Sequence, residues 1–255
     1  MINHLWRPPR KEPGVKSRPL DKEDPENFQY YRKWGFTVYR TYYGSDSNQH
    51  WDALIDAMTR QTLLALGYHE DDDMFKNDKR QKRGLYSNKA KYLEDVNRLK
   101  KLFRLSTRED VSLLDGLDIH QIREVCVKEL PEAKKNIEGA NHCFALVADE
   151  AVLKDVARGV FVIKAVGYDW DEDRAGQGWV RMLTGDILSL WESLLLCDYI
   201  CHDIYAEMHR EVSGGDLDKD TWPGLSCIEP LGDCSEARTA DPTGTARITQ
   251  FRIDY

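Results

Sequence analysis

A chain of 255 residues, 41% apolar and 31% charged, is long enough to bury a full core and lacks the composition of a disordered protein. No apolar run approaches the ~18–20 residues of a membrane span, which points away from a helical membrane protein. The formal net charge of −8 is unevenly spread: residues 76–108 carry twelve Lys or Arg against Asp78, Glu94 and Asp95, a net +9 beside −17 for the rest.

Residues 1–30 read as a flexible basic, Pro-rich arm, with no apolar h-region and hence no signal peptide; residues 31–255 read as one globular domain. The stretch 34–43 (WGFTVYRTYY) is β-branched and aromatic and predicts a strand, closed by the turn Gly44-Ser45-Asp46-Ser47. Apolar residues from Trp51 to Leu66 recur at helical spacing; Ser45, Asp46 or Ser47 would cap that helix and Gly67 stop it. The basic stretch 74–102 reads as a further helix. A short helix at 118–130, capped by Asp118, ends at Pro131. Strands are expected at 142–147, 160–166 and 179–183, with a helix at 150–157 and an acidic loop at 168–177. The longest helix opens at Asp186 and runs to about Val212, and a final strand lies at 246–253. Interleaved strands and helices predict a mixed α/β fold, a central sheet of about four to six strands flanked by helices in a Rossmann-like layering. The six cysteines sit mostly among apolar residues, and with no export signal they read as reduced thiols of a cytoplasmic protein.

The chemistry-bearing features are few. The cations of the basic helix, with few carboxylates at i±4 to pair them, form a polyanion-binding face or else a solvated one. Ser45 stands at a strand-to-helix turn, where a hydroxyl can be exposed above a sheet edge as a nucleophile; an N-cap is the commoner use of such a serine. Tyr199, Asp203 and Glu207 share one face of the last helix at i, i+4 and i+8 spacing and can hold an amine and shuttle its proton, or simply form a polar seam. Cys197, Cys201, His202 and His209 lack metal-ligand spacing, so no metal is expected. No phosphate-binding loop or dinucleotide fingerprint is present, and no cofactor is expected.

Two resemblances follow from these residues. Gly35-Phe36-Thr37-Val38-Tyr39-Arg40-Thr41-Tyr42-Tyr43, Phe103-Arg104-Leu105 with Leu114-Asp115-Gly116, the segment 143–149, and Gly178-Trp179-Val180-Arg181-Met182 are similar to a large family of uncharacterised ascomycete proteins over roughly residues 34–196. That likeness implies no activity. Locally, Gly44-Ser45-Asp46-Ser47-Asn48 resembles the turn carrying the nucleophilic serine of tRNA-dependent cyclodipeptide synthases. Ala65-Leu66-Gly67-Tyr68, followed by a basic helix, resembles their ALGY segment and tRNA-binding helix. The family's Tyr-x-x-x-Glu motif appears only as Tyr199 to Asp203, with Asp for Glu, and there is little room for the strand that normally precedes ALGY. The resemblance implies an arginine-using cyclodipeptide synthase with catalytic Ser45, Tyr199, Asp203 and Glu207. It implies tRNA contacts from Lys79, Arg80, Lys82, Arg83, Lys89, Lys91, Arg98, Lys100, Lys101 and Arg104. The competing expectation is a non-catalytic nucleic-acid- or protein-binding regulator.

Overall fold

Two apolar runs set the centre of the molecule: Phe144–Ala148 (FALVA) and Val162–Gly167 (VIKAVG) are buried along their whole length, as strands covered on both faces must be. A computed structural model describes residues 1–9, 19–66, 89–174, 176–200, 204–206, 208 and 220–222. In it these runs are β3 and β4, joined by β1 (Thr37–Arg40), β2 (Ser106–Arg108) and β5 (Trp179–Leu183). The five strands form one sheet in the order β2-β1-β3-β4-β5. β2, β1 and β3 run parallel, and β3, β4 and β5 form an antiparallel meander.

The described α-helices are α1 (Ser47–Ala65), α2 (Lys89–Leu102), α3 (Val111–Leu114), α4 (Ile119–Asn136), α5 (Glu150–Ala157) and α6 (Ile187–Ile200). Alternation along the strands sends side chains to both faces. Phe36, Val38, Leu146, Ile163 and Met182 pack with Trp51, Leu54 and Met58 of α1, Val152 of α5 and Trp191 of α6. Tyr39, Ala145, Val147 and Val166 face the other way, onto Leu114 of α3 and Ile122 and Cys126 of α4. The chain is therefore a mixed α/β protein with a central sheet flanked by helices, as the interleaved pattern predicts. Among the described residues, no helix is long and apolar enough to cross a membrane. Cys126, Cys143 and Cys197 are thiols rather than disulfides.

Several local expectations are corrected. The described part of the N-terminal segment is no loose arm. Leu5 is 1% exposed, Trp6 bridges Tyr31, and Arg7 and Arg32 both reach the buried Glu138 carboxylate, at 2.6 and 3.1 Å. Met1, Ile2, Leu5 and Trp6 outweigh the polar composition around them because they supply apolar area to the main core; residues 10–18 lie outside the described residues. The helix opened by Asp118, whose carboxylate makes a capping box with Gln121, passes through Pro131 and ends at Asn136. Proline removes the donor for the Val127 carbonyl, but Val127 and Pro131 are both exposed, so water can replace the lost bond. β1 is shorter than residues 34–43, and Trp34 instead bridges Phe103. β2 and α3 were not expected at all. The expected helix at 74–88, the strand at 246–253 and most of 201–212 lie outside the described residues.

Candidate functional site at the carboxyl edge of the sheet

β1 has β2 on one side and β3 on the other, all parallel, so the chain reverses its direction of winding there. In open α/β sheets, the crevice beyond the carboxyl ends of strands at such a switch point is where ligands bind. The segments leaving β1 and β3 meet here. The Thr41 amide donates to Ala148 O at 3.0 Å, and the Gly116 amide to Thr41 O at 2.9 Å. Asp149 caps α5 through the Val152 amide and pairs with the buried Lys164 ammonium at 2.7 Å; that ammonium also lies 4.6 Å from the Trp179 ring centroid.

Ser45 is exposed in this turn and makes no hydrogen bond among the described residues. It is not the helix cap. Asp46 takes that position with φ 61°, a left-handed conformation, and contributes no side-chain capping bond. Two residues on, Ser47 is 2% exposed; its hydroxyl donates to Gly44 O at 2.6 Å and accepts from Arg40 Nη2 at 2.8 Å. Arg40, the last residue of β1, is itself 3% exposed. Its Nε donates to Tyr42 O at 3.0 Å and Nη2 also donates to Asn48 Oδ1 at 2.6 Å. The guanidinium stacks 4.5 Å from the Tyr43 ring centroid and 5.8 Å from that of Trp51. Among the described residues only Glu109 offers it a carboxylate, 3.6 Å from Nη1. Burial raises the Tyr43 phenol above its ordinary value; Arg40 opposes that, and Glu109, Asp110 and Asp115 add to it. The rim is thus acidic over a buried cation.

The remaining expected site residues are dispersed. Tyr199 lies in the last turn of α6, and Asp203 and Glu207 fall outside the described residues. Lys79, Arg80, Lys82 and Arg83 also fall outside them, and Lys89 begins α2. Lys91 and Arg98 serve the fold. Lys91 pairs with Glu23 at 2.5 Å and Asp95 at 3.5 Å, while Arg98 pairs with Glu94 at 2.7 Å and donates to the carbonyls of Lys22 and Glu23. Lys101 and Arg104 are exposed and Lys100 is half-buried. The Arg104 amide donates to Trp34 O, which puts this cluster at the amino edge of the sheet. Gly35 to Arg40 spans about 17 Å at ~3.3 Å per residue, so the described basic cluster and Ser45 sit at opposite edges.

Arg40, Ser47, Asn48 and Glu109 went unnoticed as a group in the sequence. The available signal was an arginine ending an apolar strand just before a Ser-Asn helix start. Among the described residues no group of three or more His, Cys, Asp or Glu side chains is placed to hold a metal ion. Comparison of the chain with family models, with curated proteins and with solved structures gives no match.

Proposed function

We propose that the carboxyl edge of β1 is the site of an acyl-transfer enzyme of the cyclodipeptide-synthase kind, with Ser45 as acyl acceptor. The observation that supports this reading is the exposed Ser45 in a strand–turn–helix at the switch point, two residues before the start of α1, whose first turn is assigned the role of stabilising an oxyanion. Ser45 Oγ attacks an aminoacyl-tRNA ester; the Oγ–acyl bond forms, and the ribose oxygen leaves with the serine proton. The amine of a second aminoacyl-tRNA then attacks the serine ester, restoring the hydroxyl. The free amine of the dipeptidyl-tRNA finally closes the ring onto its own ester, expelling the tRNA. Tyr199, Asp203 and Glu207 are assigned to the substrate amine and its proton.

A second reading has its own support. The exposed Lys101 and Arg104 stand at the amino edge, away from Ser45, so a polyanion can be gripped there with no chemistry at the other edge. Expression in a bacterium followed by mass spectrometry of the medium separates the two: a new cyclic dipeptide that disappears in Ser45→Ala supports the enzyme. An unchanged medium, with tRNA binding retained, supports the binding protein.

A further inference from the structure

Three other buried charges among the described residues meet a counter-ion within bonding distance: Lys164 has Asp149, Glu138 has two arginines, and Asp155 has Arg158 and Arg181. Arg123, also buried, is committed to the carbonyls of Gly167 and Gln177 and to the face of Trp170. Arg40, like Arg123, is held mainly by neutral oxygens, but it also faces one loosely placed carboxylate. Its Nε and Nη2 donors are taken by neutral oxygens of Tyr42, Ser47 and Asn48. Its Nη1 faces a carboxylate at 3.6 Å that belongs to a side chain 43% exposed. That separation is longer than a charge-assisted hydrogen bond, and solvent screens the pair. A desolvated guanidinium held by neutral dipoles still attracts an anion. The same guanidinium lies against the start of α1, where the Ser47 amide is taken by Gly44 O but no side chain caps the turn, so the positive end of a 19-residue helix dipole is close by.

We infer that Arg40, Asn48 and the first turn of α1 form a subsite for one compact oxyanion, a carboxylate or phosphate group of a small ligand, and that Glu109 occupies the position the ligand takes. Arg40 Nη1 supplies the charge-assisted donors, and the Asn48 amide NH₂, whose oxygen already orients toward Arg40, supplies another. With one guanidinium nitrogen and one amide to offer, the subsite suits a single compact anion. It stands whether or not Ser45 accepts an acyl group.

The test is calorimetric titration of the full chain with inorganic phosphate and, separately, with acetate, at constant ionic strength set by chloride. At least one anion binds saturably to the parent; which of the two does so identifies the phosphate or the carboxylate as the natural group. Glu109→Gln removes the competing carboxylate and tightens that binding about fivefold or more. Asn48→Asp places a fixed carboxylate beside the guanidinium; Asn48 is exposed, so the variant folds. It reduces anion affinity at least about tenfold and raises the melting temperature. No saturable binding to the parent or to Glu109→Gln would overturn the inference, as would anion affinity unchanged in Asn48→Asp.

Discussion

Ser45 and Ser47 lie two residues apart in one turn, and replacing each by alanine should give opposite results. The Ser47 hydroxyl is buried and makes two hydrogen bonds, one to the Gly44 carbonyl and one from the Arg40 guanidinium. Losing a bond to a charged group costs about 1.5–3 kcal/mol, while the Gly44 carbonyl keeps the Ser47 amide at 3.2 Å. Ser47→Ala should therefore cost about 1.5–3 kcal/mol, a fall in melting temperature of roughly 3–12 °C for a chain of this size. Ser45 is exposed and unbonded among the described residues, so Ser45→Ala should stay within about 0.5 kcal/mol. Urea unfolding and a thermal melt on each variant measure the stabilities, and mass spectrometry measures cyclic dipeptide. The expected pattern is loss of product with full stability for Ser45→Ala, and product reduced only with the folded fraction for Ser47→Ala. A stable Ser45→Ala that still makes product removes Ser45 from the mechanism. A Ser47→Ala within 0.5 kcal/mol of the parent, roughly the scatter of exposed-site changes, refutes the hydrogen-bonded turn.

Three further outcomes are expected. Lys101→Glu with Arg104→Glu should weaken tRNA binding and lower the salt dependence by about two counterions at nearly unchanged melting temperature; a parent that shows no tRNA binding at low salt removes nucleic acid from consideration. Asp155→Ala removes a carboxylate from the Arg181 side chain, 11% exposed, and should cost about 3–5 kcal/mol. Arg158→Ala, which trims a side chain 70% exposed, should cost under about 1 kcal/mol, and comparable losses by urea unfolding would refute that ranking. Burial pushes the Cys126 thiol up to about 12, above an unfolded value near ~8.5. The folded state thus holds this proton more tightly, and the stability it contributes is whole below about pH 8.5 and lost as pH climbs toward 12. Urea midpoints should fall more steeply with alkaline pH in the parent than in Cys126→Ala, and equal slopes would count against the assignment.

The α/β layering was legible because β3 is an unbroken apolar run and β4 is interrupted only by Lys164. The helix at 150–157 and the strand at 179–183 were read with the bounds the structure has, and Asp149 caps the former. β2 was not legible: Ser-Thr-Arg has little strand character of its own and is a strand because Thr37, Val38 and Tyr39 lie alongside to pair with it. The site was only half legible for the same reason. Ser45 could be read from the turn around it, whereas Arg40 gains its meaning from Glu109, which is brought near by β2, and from a helix start that fails to cap itself. Pro131 misled because proline usually stops a helix, and whether the orphaned carbonyl faces water depends on which side of α4 meets the sheet.

The Arg7–Glu138 contact joins positions 131 residues apart, and the parallel pairing of Val38 with Leu146 is nearly as distant in the chain. Leu146, which pairs with Val38 in the sheet, and Glu138, which holds Arg7, each follow their partner by more than a hundred residues. Trp6 meets Tyr30 and Tyr31 early, but Trp34, which packs on Phe103 and Trp191, must wait in water for partners translated long after it. Closing loops of that length is slow, and exposed apolar segments during the delay invite aggregation. Heterologous expression should therefore gain more soluble protein from slower synthesis at low temperature, or from added chaperones, than from any change that stabilises the finished fold.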